Sequence, residues 1–432
     1  LAGKGVPSSL LRECAVIVTD YSSIAHDALL IGTPVVMAVE GLERYRASRE
    51  ILIDQEQWDA AYIADEPDGL VPAVVRALGD DNLASARQAY RDGLMGALGA
   101  APGANTRAAI LDAMARVNDT VTHPYGNDPV TAGLGPKVSA LFGHEAHVFP
   151  VSSGTAANGL SLAAVTPPFG TVFCHRLAHI RQEEWCAPEF FTGGARLVGV
   201  DGPDAKMTPA ALAHEIGLAK NAGHPSTVSI TQTTEAGTLY SLEELGALVA
   251  VAKAHGLAVH MDGARFTNAL VALGCTPADL TWKLGVDSLA FGATKNGTLT
   301  AEAVIVFRKD LADQVMHRRK RAGQVSSKMR FLSAQLDAYL TDDLWLGNAR
   351  AANAAAHRLA DGLTRLGIEL AVPAQANLVF PKFAPTLTAA LRRDGYEFLD
   401  WPWLGDSVVR LVCGFSTPTS AVDQLLDKIK SY

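Results

Sequence analysis

An α/β fold built on a wide, mostly parallel, doubly wound sheet is predicted by three observations. Short apolar runs of strand length alternate with longer segments of helical period. Most runs end in turns of glycine, small or polar residues. Hydrophobic residues make up 48% of the chain against 19% charged, enough for large cores in a soluble globular protein. At 432 residues the chain exceeds one ordinary domain, and two or three are expected.

Taken in order, residues 14–20 read as a buried strand, 24–31 as a helix entered through Tyr21-Ser22-Ser23, and 33–39 as the next strand. That is a βαβ unit of the parallel type, and helical segments are expected after it to about residue 95. A Gly/Ala/Pro-rich stretch at 96–105 has linker composition, so a first domain is expected at 1–95 and a linker at 96–107. From residue 108 strands are expected at 146–151, 171–174, 195–200, 227–231, 257–261, 288–291 and 303–307, with helices between most of them. A large domain thus spans 108–343. A long Ala-rich helix at about 344–366 then opens a smaller α/β domain, 344–432. Its strands are expected near 368–372, 378–381 and 408–412, with a closing helix at 419–430. The sequence contains no internal repeat.

Thirty-seven basic and 45 acidic residues give a net charge of −8, scattered along the chain, which argues against a nucleic-acid surface. The main exception, His317-Arg-Arg-Lys-Arg321, reads as a phosphate patch or, better, as a solvated helix end or subunit contact. Five dispersed cysteines (14, 174, 186, 275, 413) without a CxxC pair point to a reducing, cytoplasmic setting and to no metal cluster. No apolar run approaches the ~18 residues of a membrane span. The first seven residues lack the apolar stretch of a signal peptide, and the opening on Leu1 rather than methionine is that expected of a fragment.

The chemistry is concentrated at three strand ends. Leu289-Ala-Phe-Gly-Ala-Thr-Lys-Asn-Gly297 sets Lys295 on a Gly-flanked turn. The strand at 257–261 ends in Asp262-Gly263-Ala264-Arg265. Val151-Ser-Ser-Gly-Thr-Ala-Ala-Asn158 is a small-residue turn opening a helix. A lysine to bond the cofactor, a carboxylate to keep a pyridine nitrogen protonated and free N–H groups for a phosphate are the parts that hold pyridoxal 5′-phosphate (PLP). Each part has a plainer reading: a surface lysine, a strand-end acid capping a helix, a common turn. Their joint occurrence favours the cofactor.

From about residue 108 to the C-terminus the chain resembles the low-specificity L-threonine aldolases, PLP enzymes of the aspartate-aminotransferase superfamily (fold type I). The resemblance rests on Tyr125-Gly126-x-Asp128-Pro129, Ser153-Gly-Thr-Ala-Ala-Asn158, Leu177-Ala-His-Ile180, Met261-Asp-Gly-Ala-Arg265, Gly292-Ala-Thr-Lys-Asn-Gly297 and Val409-Arg-Leu-Val412. It implies a PLP-dependent carbon–carbon lyase that cleaves L-threonine or related β-hydroxy-α-amino acids to glycine and an aldehyde. Lys295, His179 and Asp262 are then the catalytic residues. Ser153, Gly154, Thr155, Arg265 and the same three would hold the cofactor, with His179 stacked on the ring and Lys295 buried with a lowered pKa. Arg265, Arg410 and Tyr125 would bind substrate, the arginines through its α-carboxylate. His179, or a water it holds, is the expected base. Two departures stand out. Ala100-Ala101-Pro102 occupy the place of a Ser-Asp-Asn segment that helps hold the carboxylate in many members, and the loop Thr234-Glu-Ala-Gly-Thr238 lacks the second histidine often found there. The latter resembles the subgroup that accepts aromatic substrates. Sites of this fold usually form between subunits, so a homodimer or homotetramer is implied.

Residues 8–80 resemble the carboxyl half of a CDP-glycerol glycerophosphotransferase, a Rossmann-like half of the GT-B type, through Val18-Thr-Asp-Tyr-Ser-Ser-Ile24, Asp27, Pro34 and Tyr45-Arg46. Asp20-Tyr-Ser-Ser23 would cradle phosphate at a helix N-terminus, although capping by Ser22 or Ser23 accounts for it equally. Three alternatives to the aldolase therefore stay open: a PLP-dependent β-eliminating lyase or aminotransferase, a CDP-polyol phosphotransferase-like activity of the N-terminal part, and an inactive fusion.

Overall fold

Val35, Val36 and Met37 are fully buried in succession, as in a parallel strand covered on both faces. They lie in β2 (Val35–Ala38), which pairs in parallel with β1 (Ile17–Thr19) and β3 (Tyr62–Ala64) in the order β1-β2-β3. Helix α1 (Pro67–Gly79) begins on a proline, whose missing N–H costs nothing in the first turn. It buries Ala73 and Ala77, one turn apart, against Val36, Tyr62 and Ala64. The computed structural model describes residues 16–19, 34–38, 61–64, 67–79, 83, 85, 87, 103–221 and 223–432. Asp20 to Ser23, Asp27, Tyr45, Arg46 and the segment 100–102 lie outside the described residues. The sequence reading had only helices after the βαβ unit, and β3 corrects it. The three residues Tyr62-Ile63-Ala64 are too short a run for a periodicity to declare itself.

The chain divides into two units, Leu1–Ala101 and Pro102–Tyr432. The second opens on α2 (Ala104–Asn118), four residues before the expected start. Gly103 precedes it with φ 79°, a left-handed conformation that glycine adopts without strain. Next come α3 (Pro129–Phe142), β4 (His147–Val151), α4 (Gly154–Val165), β5 (Gly170–His175), α5 (His179–Gln182), α6 (Ala187–Thr192), β6 (Arg196–Val200), α7 (Pro209–Ala219), β7 (His224–Thr231), α8 (Leu242–Ala254), β8 (Ala258–Gly263), α9 (Phe266–Leu273), β9 (Ser288–Phe291) and β10 (Glu302–Val306). The seven strands form one sheet, β4-β10-β9-β8-β7-β5-β6, in which only β10 runs against the others.

Strand alternation assigns side chains to two cores. Ala303 and Ile305 of β10 join Leu289, Phe291, Met261 and Val228 in a core roofed by α3, α8 and α9. Val304, Val306 and Ala290 point the other way, toward Ala156, Ala157 and Leu160 of α4 and Leu311 and Val315 of α10 (Lys309–Arg321). By the same alternation Asp262 faces away from Met261, toward α4.

After α11 (Arg330–Tyr339), the long helix α12 (Leu344–Arg365) leads into the smaller part. There β11 (Leu378–Val379), α13 (Pro385–Arg393), β12 (Leu399–Asp400), β13 (Val409–Val412) and α14 (Thr419–Lys430) follow, with an antiparallel sheet ordered β11-β13-β12. The strand expected at 368–372 is reduced to a single bridge, Leu370 to Pro381. The edge strand β12 was not expected.

Candidate active site

The ends of five parallel strands supply the site: Ser153 and Gly154 follow β4, His179 follows β5, Glu235 follows β7, Asp262 closes β8 and Lys295 follows β9. Ligands of open α/β sheets bind at this carboxyl edge, where successive loops diverge.

Asp262 is 2% exposed. Its Oδ1 accepts the Ala264 N–H at 3.0 Å, and its Oδ2 accepts Asn158 Nδ2 at 3.0 Å. The second hydrogen of the same Asn158 amide goes to Glu184 Oε1 at 2.8 Å. That oxygen also lies 2.9 Å from His179 Nδ1. An ionised carboxylate only accepts, so Nδ1 carries the proton and Nε2 is the free nitrogen. The hydrogen bond to Glu184 outweighs burial and raises the His179 pKa, with help from Glu235 and Asp262. Sequence reading had named His179 and Asp262, but not Asn158 and Glu184, which join them.

Lys295 lies in a single 3₁₀ turn, Thr294–Asn296. Glu302 of β10 accepts the Ala293 and Thr294 N–H groups at 2.9 and 3.3 Å, fixing the entry to the turn. Gly297 leaves it with φ 139°, and a Cβ there would lie 2.7 Å from both Asn348 Nδ2 and Thr106 Cγ2. At Gly292 a Cβ would meet the Ala264 carbonyl oxygen at 2.4 Å, so glycine lets the lysine turn close on the Asp262 loop. Lys295 was expected to be buried; its side chain instead reaches solvent. The surrounding protein and then Arg265 still lower its ammonium pKa, against the opposing pull of Asp262, Glu235 and Glu302.

Ser153 caps α4 by accepting the Ala156 N–H at 3.2 Å. The first N–H groups of that helix, on Gly154 and Thr155, stay at its open end. Arg265 precedes α9, and burial followed by the nearby Arg410 charge lowers its pKa to about 10. Arg410 stands on β13, 4.9 Å from the Trp401 ring, within electrostatic reach of Glu235 and Glu183. Both Nε atoms are buried without a hydrogen-bond partner among the described residues. Glu235, given no role by the sequence reading, accepts the His179 backbone N–H at 3.3 Å. Burial, then Asp262, raises its pKa, while His179, Arg265 and Lys295 oppose the rise. Tyr125 is not brought to this cluster. It is 52% exposed, its N–H donates to the Ser327 carbonyl, and its ring lies 4.5 Å from the Lys320 ammonium.

Residues 103–385 match the family described as Beta-eliminating lyase. The chain belongs to that family. Within it, the chain is 41% identical over 322 residues to the low-specificity L-threonine aldolase of Pseudomonas aeruginosa, covering 74% of this chain and 92% of the relative. The structure of Leishmania major threonine aldolase superposes with a TM-score of 0.70 at 30% identity, covering 74% of this chain and 95% of the other. Aspartate aminotransferase from Thermus thermophilus superposes with a TM-score of 0.57 over 77% of this chain and 88% of its own, at 15% identity, which speaks to the fold alone. This lyase-family chain thus has the fold type I architecture expected from its sequence. Residues 7–95 separately match the family described as CDP-Glycerol:Poly(glycerophosphate) glycerophosphotransferase.

Proposed function

We propose that the chain is a PLP-dependent aldehyde-lyase that cleaves L-threonine and related β-hydroxy-α-amino acids to glycine and an aldehyde. The observation that carries this reading is the convergence of Lys295, Asp262, His179 and the α4 N-terminus at one sheet edge, in a chain 41% identical to a threonine aldolase.

The residues present fit the cofactor. Asn158 Oδ1, Glu184 Oε2, Arg265 Nε and Arg410 Nε are buried polar atoms with no hydrogen-bond partner among the described residues, and the Asp262 acid meets no cation in a salt bridge there. Bound there, PLP supplies an electron sink for the pair left on Cα when the Cα–Cβ bond breaks. Asp262, oriented by Asn158 and Ala264, would keep the pyridine nitrogen protonated. Ser153, Gly154 and Thr155 would take the phosphate at the α4 N-terminus. His179 would stack on the ring, its orientation set by Glu184. The lowered pKa of Lys295 favours the neutral amine that covalent attachment needs. Arg265 and Arg410, each with an uncommitted Nε, would clamp the substrate carboxylate and so fix which bond at Cα is cleaved.

A homodimer or homotetramer is the assembly that the resemblance implies, with Tyr125 expected to serve a substrate site within it. Four free cysteines among the described residues support a reducing, cytoplasmic setting. Among the described residues no helix is long and apolar enough to cross a membrane.

Product analysis tests the reaction. Incubation of the PLP-loaded protein with L-threonine or a phenyl-substituted analogue should release glycine and the matching aldehyde in equal amounts. Release of a keto acid without glycine would assign the chain to elimination or transamination instead.

A further inference from the structure

The aldolase reading leaves open which group removes the proton of the β-hydroxyl, and five carboxylates and one imidazole stand near enough to compare. Glu183, within electrostatic reach of Arg410, is exposed to solvent. Asp262 has both oxygens engaged, by Ala264 and Asn158. Glu184 Oε1 is shared by Asn158 and His179. Glu302 is tied to the N–H groups of the lysine turn. His179 is tied through Nδ1 to Glu184 Oε1, and its ring is the one assigned above to stack on the cofactor.

Glu235 differs from all of these. Among the described residues its one hydrogen bond is the 3.3 Å contact from the His179 N–H to Oε1, which leaves Oε2 uncommitted. It lines a narrow crevice with Leu177, Gln182, Glu183, Trp401 and Trp403. The Arg410 guanidinium rests on the Trp401 ring of that crevice. Glu235 is within electrostatic reach of Lys295, Arg265 and Arg410, the groups assigned above to the cofactor and to the substrate carboxylate. The groups facing Glu235 are Asp262 from β8, His179 from α5, Arg265 ahead of α9, Lys295 after β9 and Arg410 from β13.

We propose that the Glu235 carboxylate is the base that accepts the β-hydroxyl proton, in the place where a second histidine is missing from the loop at 234–238. His179 then acts as a positioning group for it, through its backbone N–H. In the step, the O–H proton passes to Glu235, the aldehyde C=O forms and the Cα–Cβ bond breaks. The electron pair stays with Cα, which takes up a proton to become glycine. The proton on Glu235 returns to solvent after the aldehyde leaves. Desolvation makes this carboxylate a stronger base than an exposed one.

This inference rests on the aldolase reading, and the test separates the two. Full-length PLP-loaded wild type, Glu235→Gln and Glu235→Asp are compared. Glutamine keeps the acceptor for the His179 N–H but cannot take a proton. Glu235→Gln should lower kcat by about 10²–10³-fold, within the range of general-base catalysis, while PLP affinity and the spectral response to glycine stay as in wild type. The wild-type kcat should rise with pH through a pKa above the ordinary carboxylate value of about 4.3, and this rise should vanish in the glutamine variant. Glu235→Asp should keep the rise with a smaller loss. Independently of turnover, NMR titration of glutamate carboxyls should show the raised Glu235 group in wild type and its loss in Glu235→Gln, with the raised Glu302 group kept in both. A glutamine variant within about threefold of wild-type kcat, with the acidic limb intact, would overturn the proposal, as would equal losses of PLP affinity and turnover in both variants. A wild type that releases no glycine would instead overturn the aldolase reading.

Discussion

The turn that carries Lys295 and the crevice that carries Glu235 lie at the same sheet edge, yet their polar groups are satisfied differently. Around the turn nearly every donor and acceptor is used. Asn296 Nδ2 donates to Tyr339 and to the Trp345 carbonyl, Asn348 Nδ2 donates to the Asn296 carbonyl, and Glu302 takes two N–H groups. Near the crevice, Arg265 Nε and Arg410 Nε are buried without partners among the described residues, and one Glu235 oxygen makes no hydrogen bond there. A satisfied network holds one geometry, whereas unsatisfied buried groups gain most from a ligand. The first region thus reads as scaffold for the cofactor, the second as the substrate-facing wall.

Substitutions can break that distinction. The largest effect is expected at Asp262. Asp262→Ala should lower kcat by about 10³-fold or more while some PLP remains bound, measured by steady-state kinetics beside cofactor absorbance. Arg410→Ala, beside the crevice, should spare PLP binding and cost ~2–4 kcal/mol in kcat/KM for a carboxylate-bearing substrate. Unchanged kinetics would remove Arg410 from the site. In the scaffold, Gly297→Ala should destabilise by about 1–3 kcal/mol in thermal melts, because its φ is unfavourable for a side chain and Asn348 and Thr106 fill the space.

A smaller effect, with a defined sign, is expected at the His179–Glu184 pair. The folded pKa of His179 is raised, so its contribution to stability is fully present below the unfolded value of about 6.5 and is lost as pH rises through the folded pKa. The Tm difference between wild type and Glu184→Gln should therefore be greatest in mildly acidic buffer and shrink above neutrality. The smallest effect concerns the first unit: removal of residues 1–95 should leave kcat/KM nearly unchanged. A still-folded but inactive product would make that unit part of the enzyme.

Much of this arrangement was legible in the sequence because it is local. Lys295, Asp262 and Ser153 each follow a short apolar strand by a few residues, and the small residues beside them mark turns that long side chains would block. Asn158 lay within a quoted motif, one helical turn past Gly154, but its link between Asp262 and Glu184 spans 104 and 26 residues and has no local signature. Glu235 is an acid in a polar loop, indistinguishable by pattern from a solvated one. The smaller domain was less readable for another reason. Strands there are two to four residues long, and β12 is an exposed edge without apolar alternation. The Ile368 to Val372 run has strand composition yet pairs only through Leu370, since partner supply rather than propensity decides a ladder.

Reductive trapping tests the central claim most directly. The purified chain, loaded with PLP, is treated with borohydride, digested and mapped by mass spectrometry. The account predicts a visible absorbance lost on reduction, with the pyridoxyl group on the peptide containing Thr294-Lys295-Asn296 and no label in Lys295→Ala. Label on another lysine, or no adduct after saturation with PLP, would contradict it.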